Sequence, residues 1–570
     1  MSTFLRRHLP ILSQLQGYEG RQIKGDVLAG LTTAVMLIPQ AMAYAMLAGL
    51  DPIIGLYAST LPLAIYSLLG TSRQLAVGPV AMVSLLVASG VGAVAGADQP
   101  GQWAALAALL MLMVGLMQWG MGLLRVGFLV KFLSHPVIAG FTSAAAIIIG
   151  MSQLGQVMGV KLAQSHYVHE TLIEAVRRLG EINPLTLGIS VATMVVLTVL
   201  KRLSPAFPRF LLVVVLGTVA VWGLGLHEQG VAIVGAVPQG LPSPELPPLR
   251  WEAFTALLPS AVTIALVGFM ESISVAKAFA RQHGDEVDAD QELKALGLAN
   301  VAGAFFQAYP VTGGFSRTAV NAQAGARSGL AGLVTSAAVA ITLLFLTPLF
   351  HFLPKGVLAA IILTAVIGLI EVKEARHLWH VSRPDLALMA LTFVATLGLG
   401  IEQGILAGVA ASVLWFVWSM SKPHVAVLGR LPGTEIYRNV HRYKEARCTP
   451  GVLALRIDAP LFFANTAFLK RTLIDLEGQL DQPLRNLVID AKVIASVDAQ
   501  GVTVLGEMLD EYGRRGVQVW LSGVRGPVRD VLGHAGLLDR IGPEHVVERV
   551  YDAIRQIEPP GPRLVAGGEG

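Results

Sequence analysis

Two hydropathy regimes divide the chain. From Asp26 to about Lys422, long apolar runs alternate with short polar breaks; beyond Lys422 the apolar runs shrink to strand and helix length. A hydrocarbon core about 30 Å thick takes about 20 apolar residues per helix. By that measure a first set of runs covers 27–50, 53–69, a shorter stretch from Val77, 103–124, 132–158, 184–200 and 210–226. A Pro-rich polar stretch, VGAVPQGLPSPELPPLR, follows and reads as an external loop. A second set covers 254–280, 296–307, a short segment from Phe315, 330–350, 356–370, 386–400 and 404–420. Each set has about seven members. In each, the third member is short and opened by Gly and Pro, as LAVGPVAMVS in one half and YPVTGGFSRTAVN in the other. Interrupted segments at corresponding places predict an inverted repeat.

Beyond Lys422 the pattern is that of an α/β domain. GVLALRID, RNLVIDAKVI and VQVWLSG read as strands; NTAFLKRTLIDLEGQL, AQGVTVLGEMLDEYGRRG and RGPVRDVLGHAG read as helices. Strands alternating with helices predict an α/β sheet. No glycine-rich phosphate loop accompanies it. The expected division is a segment 1–25, a membrane domain 26–422 with repeats of about 26–226 and 254–422, an α/β domain 434–557, and a disordered tail 558–570.

Composition supports a polytopic membrane protein. The chain has 570 residues, of which 54% are hydrophobic and 14% charged, against about 25% charged in soluble proteins. The mean hydropathy is +0.63. A net charge of +4 and a pI near 9.1 need no nucleic-acid partner, since cytoplasmic loops rich in Lys and Arg account for them. Placing the N-terminus inside puts Arg73, Arg125 with Lys131, Lys201 with Arg202 and Arg209, Lys277 with Arg281, and Lys373 with Arg376 and Arg383 in cytoplasmic loops. The loop 161–181 is the exception, with Arg177 and Arg178 beside Glu170, Glu174 and Glu181. Both termini are therefore expected in the cytoplasm, with the first residues a retained segment rather than a signal peptide. Cys448 is the sole cysteine, which excludes an internal disulfide and a Cys-X-X-Cys motif.

The stretch from Tyr309 to Asn321 carries the strongest chemistry. Between Lys294 and Lys355 the only charged side chains are Arg317 and Arg327. Pro310, Gly313 and Gly314 break a spanning helix there, and broken backbone at membrane depth survives only where protein buries it or it lines a cavity. A helix starting near Phe315 aims its free N–H groups into that cavity, with Ser316 and Arg317 beside them, which makes an anion site. The plainer reading is a hairpin with a snorkelling arginine. Gln40 and Tyr44 lie four apart on one face of the first span, next to Pro39, which is expected to kink or break it. They are either anion contacts or helix–helix hydrogen-bond partners. Glu271, beside Ser272, ends a long uncharged run in ALVGFMESISVAKAFA. Burial disfavours its charged form and a nearby arginine favours it, so it suits proton coupling; a structural ion pair with Arg317 or Lys277, or part of a sodium site, are the other readings. Glu371, Glu374 and Glu402 read as boundary residues. His166 and His169 lack a third ligand, so no metal is expected. With no GxSxG elbow and no Walker loop, neither an enzyme nor a cofactor is expected, and an ion gradient is the expected energy source.

Four motifs in order, LIPQAMAYAMLAGLDPIIGLYAS, GTSRQLAVGPVAM, ALVGFMESISVAKAFA and FFQAYPVTGGFSRTAVNAQAGA, resemble the sulfate permease (SulP) family over about 26–558. The resemblance implies a fold of fourteen spans in two inverted repeats of seven, split into core and gate domains. It implies an elevator-like movement and a homodimer. It places the anion between half-helices 3 and 10, contacted by Gln40, Tyr44, Val77, Gly78, Pro79, Val80, Phe315, Ser316 and Arg317, with Glu271 and Ser272 coupling a proton. RIDAPLFFANTAFLK and VIDAKVIASVDAQGVTVL are similar to STAS domains, in whose anti-sigma antagonist members a serine of an Asp-Ser-Ser-Gly turn is phosphorylated. Here that turn is Asp498, Ala499, Gln500 and Gly501 without a serine, so folding, dimerisation or contact with a cytoplasmic partner is the expected role. Proton-coupled sulfate uptake is the leading expectation. Sodium-coupled bicarbonate or C4-dicarboxylate (fumarate) transport, a channel, and an anion sensor signalling through STAS are the alternatives.

Overall fold

The structure, a computed structural model, describes residues 9–15, 18, 20–95, 100–127, 134–162, 168–203 and 209–558. Lys131, His166, much of the segment 1–25 and the tail after Glu558 lie outside the described residues, as do the side chains of Arg281 and Glu402. The chain forms two compact units, Met1–Ser412 and Val413–Gly570.

Among the described residues, nine helices are long and apolar enough to cross a bilayer, and five shorter ones complete a set of fourteen spans. In chain order, spans 1 to 7 are Gly20–Leu47, Pro52–Tyr57 with Leu61–Leu69, Ala81–Gly92, Pro100–Leu123, His135–Ser152, Pro184–Leu203 and Arg209–Gly223. Spans 8 to 14 are Trp251–His283, Ala289–Ala304, Phe315–Gln323, Leu330–Ile341, Lys355–Val366, Arg383–Leu399 and Ile401–Ser421. Span 1 runs through Pro39 without a break. A proline inside a spanning helix removes one hydrogen bond, and close packing by neighbours holds the remaining turns in place. Two amphipathic helices, Val168–Arg177 and Val372–Val381, punctuate the loops.

The repeat is written in the packing. Span 4 packs on span 9 as span 11 packs on span 2, and span 1 on span 11 as span 8 on span 4. Span 5 packs on span 13 as span 12 on span 6, and span 1 on span 10 as span 8 on span 3. Each pair becomes the other when spans are exchanged seven apart, which is what two copies of one fold interleaved through the bilayer produce. Spans 1–4 and 8–11 make one group and 5–7 and 12–14 another; span 1 meets spans 7 and 12, and span 3 meets span 5. The span 4–span 9 contact is backbone-close: a Cβ on Gly297 would sit 2.4 Å from Trp119 N, and one on Gly115 2.6 Å from Val301 N. Small residues permit this approach, which substitutes packing for the missing hydrophobic drive between helices in lipid.

Two strands of two residues each precede spans 3 and 10: β1, Val77–Gly78, and β2, Thr312–Gly313. They pair antiparallel, Val77 opposite Gly313 and Gly78 opposite Thr312. The second unit is a six-stranded sheet of β3 (Val425–Arg430), β4 (Tyr437–Asn439), β5 (Val452–Ile457), β6 (Asn486–Asp490), β7 (Gln518–Ser522) and β8 (Val546–Val547), in the order β4-β3-β5-β6-β7-β8. The last four strands run parallel and β3 pairs antiparallel with β5. Helices Thr466–Glu477 and Ala499–Arg514 bury Leu469, Leu473, Val504 and Met508 on one face. Helix Val550–Ile557 buries Val550, Ala553 and Ile554 against Val488 and Trp520 on the other. Strand β3 belongs to this sheet although it lies ahead of residue 434, where hydropathy placed the start of the α/β domain.

Candidate functional site

The two strands cross inside an apolar interior, so every backbone polar group there needs a partner. The pairing of β1 with β2 supplies some, and Gly314 N donates to Ala76 O at 3.1 Å. Side chains from neighbouring spans supply the rest. Asn300 of span 9 accepts from Val311 N at 2.9 Å and donates to Val311 O at 3.2 Å, held in turn by Gln118 Oε1 at 3.0 Å. Ser272 Oγ accepts from Gly313 N at 2.7 Å and shares a hydrogen bond of 2.6 Å with Thr312 Oγ1, which also donates to Gly268 O. Thr318 Oγ1 accepts from Ala76 N at 3.1 Å, and Asn321 Nδ2 donates to Gln74 O at 2.9 Å.

Span 10 begins at Phe315 behind a Gly314 cap, and its third residue is Arg317. Arg317 is 2% exposed. Its Nη1 donates to Pro79 O at 2.5 Å, so a residue of the second half pins the turn that opens span 3. Nε and Nη2 are buried and meet no hydrogen-bond partner. Among the described residues no acidic side chain forms an ion pair with it. A Cβ on Gly314 would lie 2.8 Å from Nη2, so glycine there is what lets the guanidinium lie against the backbone. The electrostatic neighbours of Arg317 are Tyr44, Glu271 and Tyr309. A buried charge with open donors is costly unless a counter-charge completes it. The helix N-terminus adds positive potential at the same place.

The predicted residues divide into three groups. Gln40 (2% exposed) and Tyr44 (6%) are buried on span 1, and their side chains form no hydrogen bond within the described residues. Val77, Gly78, Pro79 and Val80 are buried at the crossing. Glu271 is half-buried, with Oε2 shielded and unpartnered, and no ion pair joins it to Arg317 or Lys277. Ser272, expected beside the proton, faces β2, and its hydroxyl is occupied by backbone and Thr312. Adjacent helical positions point about 100° apart, which separates it from Glu271. Phe315 is 59% exposed, its ring 5.8 Å from that of Phe279, and Ser316 is exposed as well; at these two positions the buried feature is the helix start rather than the side chain. Sequence reading passed over Tyr309, Ser84, Asn300 and Thr318. A polar residue within an apolar helix was the available signal for Asn300 and Ser84. In the second unit, Asp498 caps helix 499–514, accepting from Gly501 N at 2.7 Å and Phe463 N at 2.9 Å, while Ala499 and Gln500 are exposed in its first turn.

Comparison with known proteins places these features in context. The profile of the sulfate permease family matches residues 23–392 and that of the STAS domain residues 443–555. A probable sulfate transporter 4.2 of Arabidopsis thaliana is 39% identical, over 96% of this chain and 83% of its own. A probable sulfate transporter of Mycobacterium tuberculosis is 37% identical, over 96% of this chain and 97% of its own. The structure of the murine Solute Carrier 26 family member A9 anion transporter in its inward-facing state superposes with a TM-score of 0.90 at 27% identity, covering 97% of this chain and 94% of that one.

Proposed function

The chain belongs to the sulfate permease family, and from that premise we propose that it is a secondary active anion transporter, taking up sulfate with protons. The observation that carries this reading is Arg317, buried at the start of span 10 with two donors open and a third spent on Pro79. Half-helices 3 and 10 bring two sets of free N–H groups to the same crossing, and oriented dipoles plus one guanidinium bind a desolvated anion. Gln40 and Tyr44 wall the site from span 1. Glu271 takes up and releases the proton: its carboxylate has an unpartnered oxygen and sits in the field of Arg317 without an ion pair that would lock it. An anion beside Arg317 lowers the positive potential that Glu271 feels and favours its protonation, which couples the two loads. The division of spans into two packed groups supports an elevator-like movement of spans 1–4 and 8–11 against the rest. The protein works as a homodimer in a bacterial plasma membrane, both termini in the cytoplasm, where the STAS domain meets a partner. Sulfate is the proposed substrate because the relatives at 37–39% identity are named for it.

The test is uptake of labelled sulfate into proteoliposomes in sodium-free buffer, with and without an inside-alkaline gradient. Wild type accelerates with the gradient; Glu271→Gln binds sulfate but loses the acceleration; Arg317→Ala loses binding and uptake. Normal uptake by Arg317→Ala removes the proposed site. Sulfate uptake absent under every gradient, with bicarbonate or fumarate uptake requiring sodium, keeps the site and replaces the substrate and coupling ion.

A further inference from the structure

The crossing carries a second bridge between the halves, made by side chains alone. Tyr309 is fully buried just ahead of β2, and its hydroxyl lies 3.0 Å from Ser84 Oγ, which is itself buried in the first turns of span 3. The other ties across the crossing use backbone atoms: the β1–β2 pairs, Gly314 N to Ala76 O, Ala76 N to Thr318 Oγ1, Asn321 Nδ2 to Gln74 O and Arg317 Nη1 to Pro79 O. These ties hold the strands and the turn before span 3. The Tyr309–Ser84 bond alone among them reaches into the span 3 helix itself, beyond its Val80 cap. Tyr309 is also one of the three electrostatic neighbours of the Arg317 guanidinium.

We infer that Tyr309 and Ser84 form a spacer that sets how far the N-terminus of span 3 stands from Arg317, and thereby which size of anion the site prefers. This rests on the anion site proposed above. The physical argument is one of stiffness. Two half-helices that meet end to end are held in position by the strands between them, but a strand pair of two residues is a hinge. A rigid aromatic side chain with one end fixed in the backbone of one half and the other bonded to the helix of the opposite half removes that freedom, and only a rigid site discriminates anions by radius. Tyr309 and Ser84 touch no anion in this account; they are positioning residues.

The experiment measures binding of sulfate, bicarbonate, nitrate and fumarate to the purified full-length protein by calorimetry, with melting temperature as the control for folding. Tyr309→Phe keeps the ring, and Ser84→Ala keeps the helix. Each is expected to narrow the affinity ratio between the preferred anion and the others by about fivefold, the worth of one hydrogen bond, with the protein still folded at the assay temperature. The double variant goes no further than either single one, because both remove the same bond. Ser84→Thr, which retains the hydroxyl, restores discrimination. Uniform weakening of all four anions, effects that multiply in the double variant, or an unchanged ratio in Tyr309→Phe each overturn the spacer. Binding that survives in Arg317→Ala, or no binding of any of these anions by wild type, fails the anion site itself and the spacer with it.

Discussion

At the scale of single residues, the site depends on how closely Arg317 lies against backbone. Gly314 shows it: an alanine methyl would stand 2.8 Å from Nη2 and 3.0 Å from Cζ, so one of them must move. Gly314→Ala is expected to push the guanidinium off Pro79 O and lower anion affinity about tenfold or more with little loss of folded protein, checked by titration calorimetry at matched melting temperature. A different residue reports on the second unit. Asp490, at the end of β6, is mostly buried; burial holds its carboxyl above the usual range, more than the Lys492 N–H, Lys492 and Arg456 pull it down. The folded state therefore keeps the proton to a higher pH than the unfolded chain. Above the folded pKa the ionised form opposes folding, and the penalty is relieved as pH falls through that value. Asp490→Asn is expected to raise amide protection in β6 at pH 7, with the gain over wild type shrinking as pH drops; an equal gain at all pH values would assign it to packing. Residue identities were the legible part at this scale. Arg317, Glu271, Gln40 and Tyr44 stand out because a polar group in an apolar run is expensive. Which of their donors and acceptors are already spent was illegible, as Ser272 demonstrates: only the fold says that its hydroxyl serves β2.

Among elements, the third member of each half decides the architecture. Gly78 with Pro79, and Pro310 with Gly313 and Gly314, foretell two short helices with extended lead-ins, because Pro removes a donor and Gly admits non-helical angles. The lead-ins pairing with each other is a long-range event, 236 residues apart in register from Val77 to Gly313, and no local pattern announces it. Its cost is backbone left over in an apolar place, met by Asn300. Asn300→Leu strips both partners from Val311 and is expected to cost about 2–4 kcal/mol, seen as a lower melting temperature and faster hydrogen exchange over 309–314, whereas exchange in the second unit stays unchanged. Strand β3, the short β4 and β8 and the helix Val550–Ile557 were among the elements that pattern reading did not find; β3 follows a spanning helix after only three residues, and β4 and β8 are three and two residues long.

For the whole molecule, the interleaving of halves makes a prediction that neither half makes alone. The connection 231–250 is tied at one end to the start of span 12, by Val234 N to Leu353 O and Lys355 N to Ala232 O, both at 2.9 Å. At the other it is tied to the end of span 9, by Glu245 N to Phe305 O at 2.8 Å and Gln307 Nε2 to Ser243 Oγ at 3.0 Å. Yet the large packings, span 4 on 9, 1 on 11, 5 on 13 and 6 on 12, all join one half to the other. A protease site inserted at the exposed residues 238 and 239 is therefore expected to yield two fragments that remain together through purification and still take up anion. Fragments that separate in mild detergent would mean that the connection, and not the interleaved helices, holds the halves.

What the sequence determined by itself follows from local rules. Run length against bilayer thickness, helix breakers and the price of a buried charge act on a few neighbouring residues, so two sets of about seven spans, an α/β domain and the candidates Arg317, Glu271, Gln40 and Tyr44 were legible in order. What only the tertiary structure decided is which open groups meet. The seven-apart exchange of packing partners, the Arg317–Pro79 pin, the Tyr309–Ser84 bridge and the commitment of Ser272 each join residues from distant parts of the chain, because a hydrogen bond or a close helix contact depends on distance in space, and in an interleaved repeat that distance is unrelated to separation along the chain.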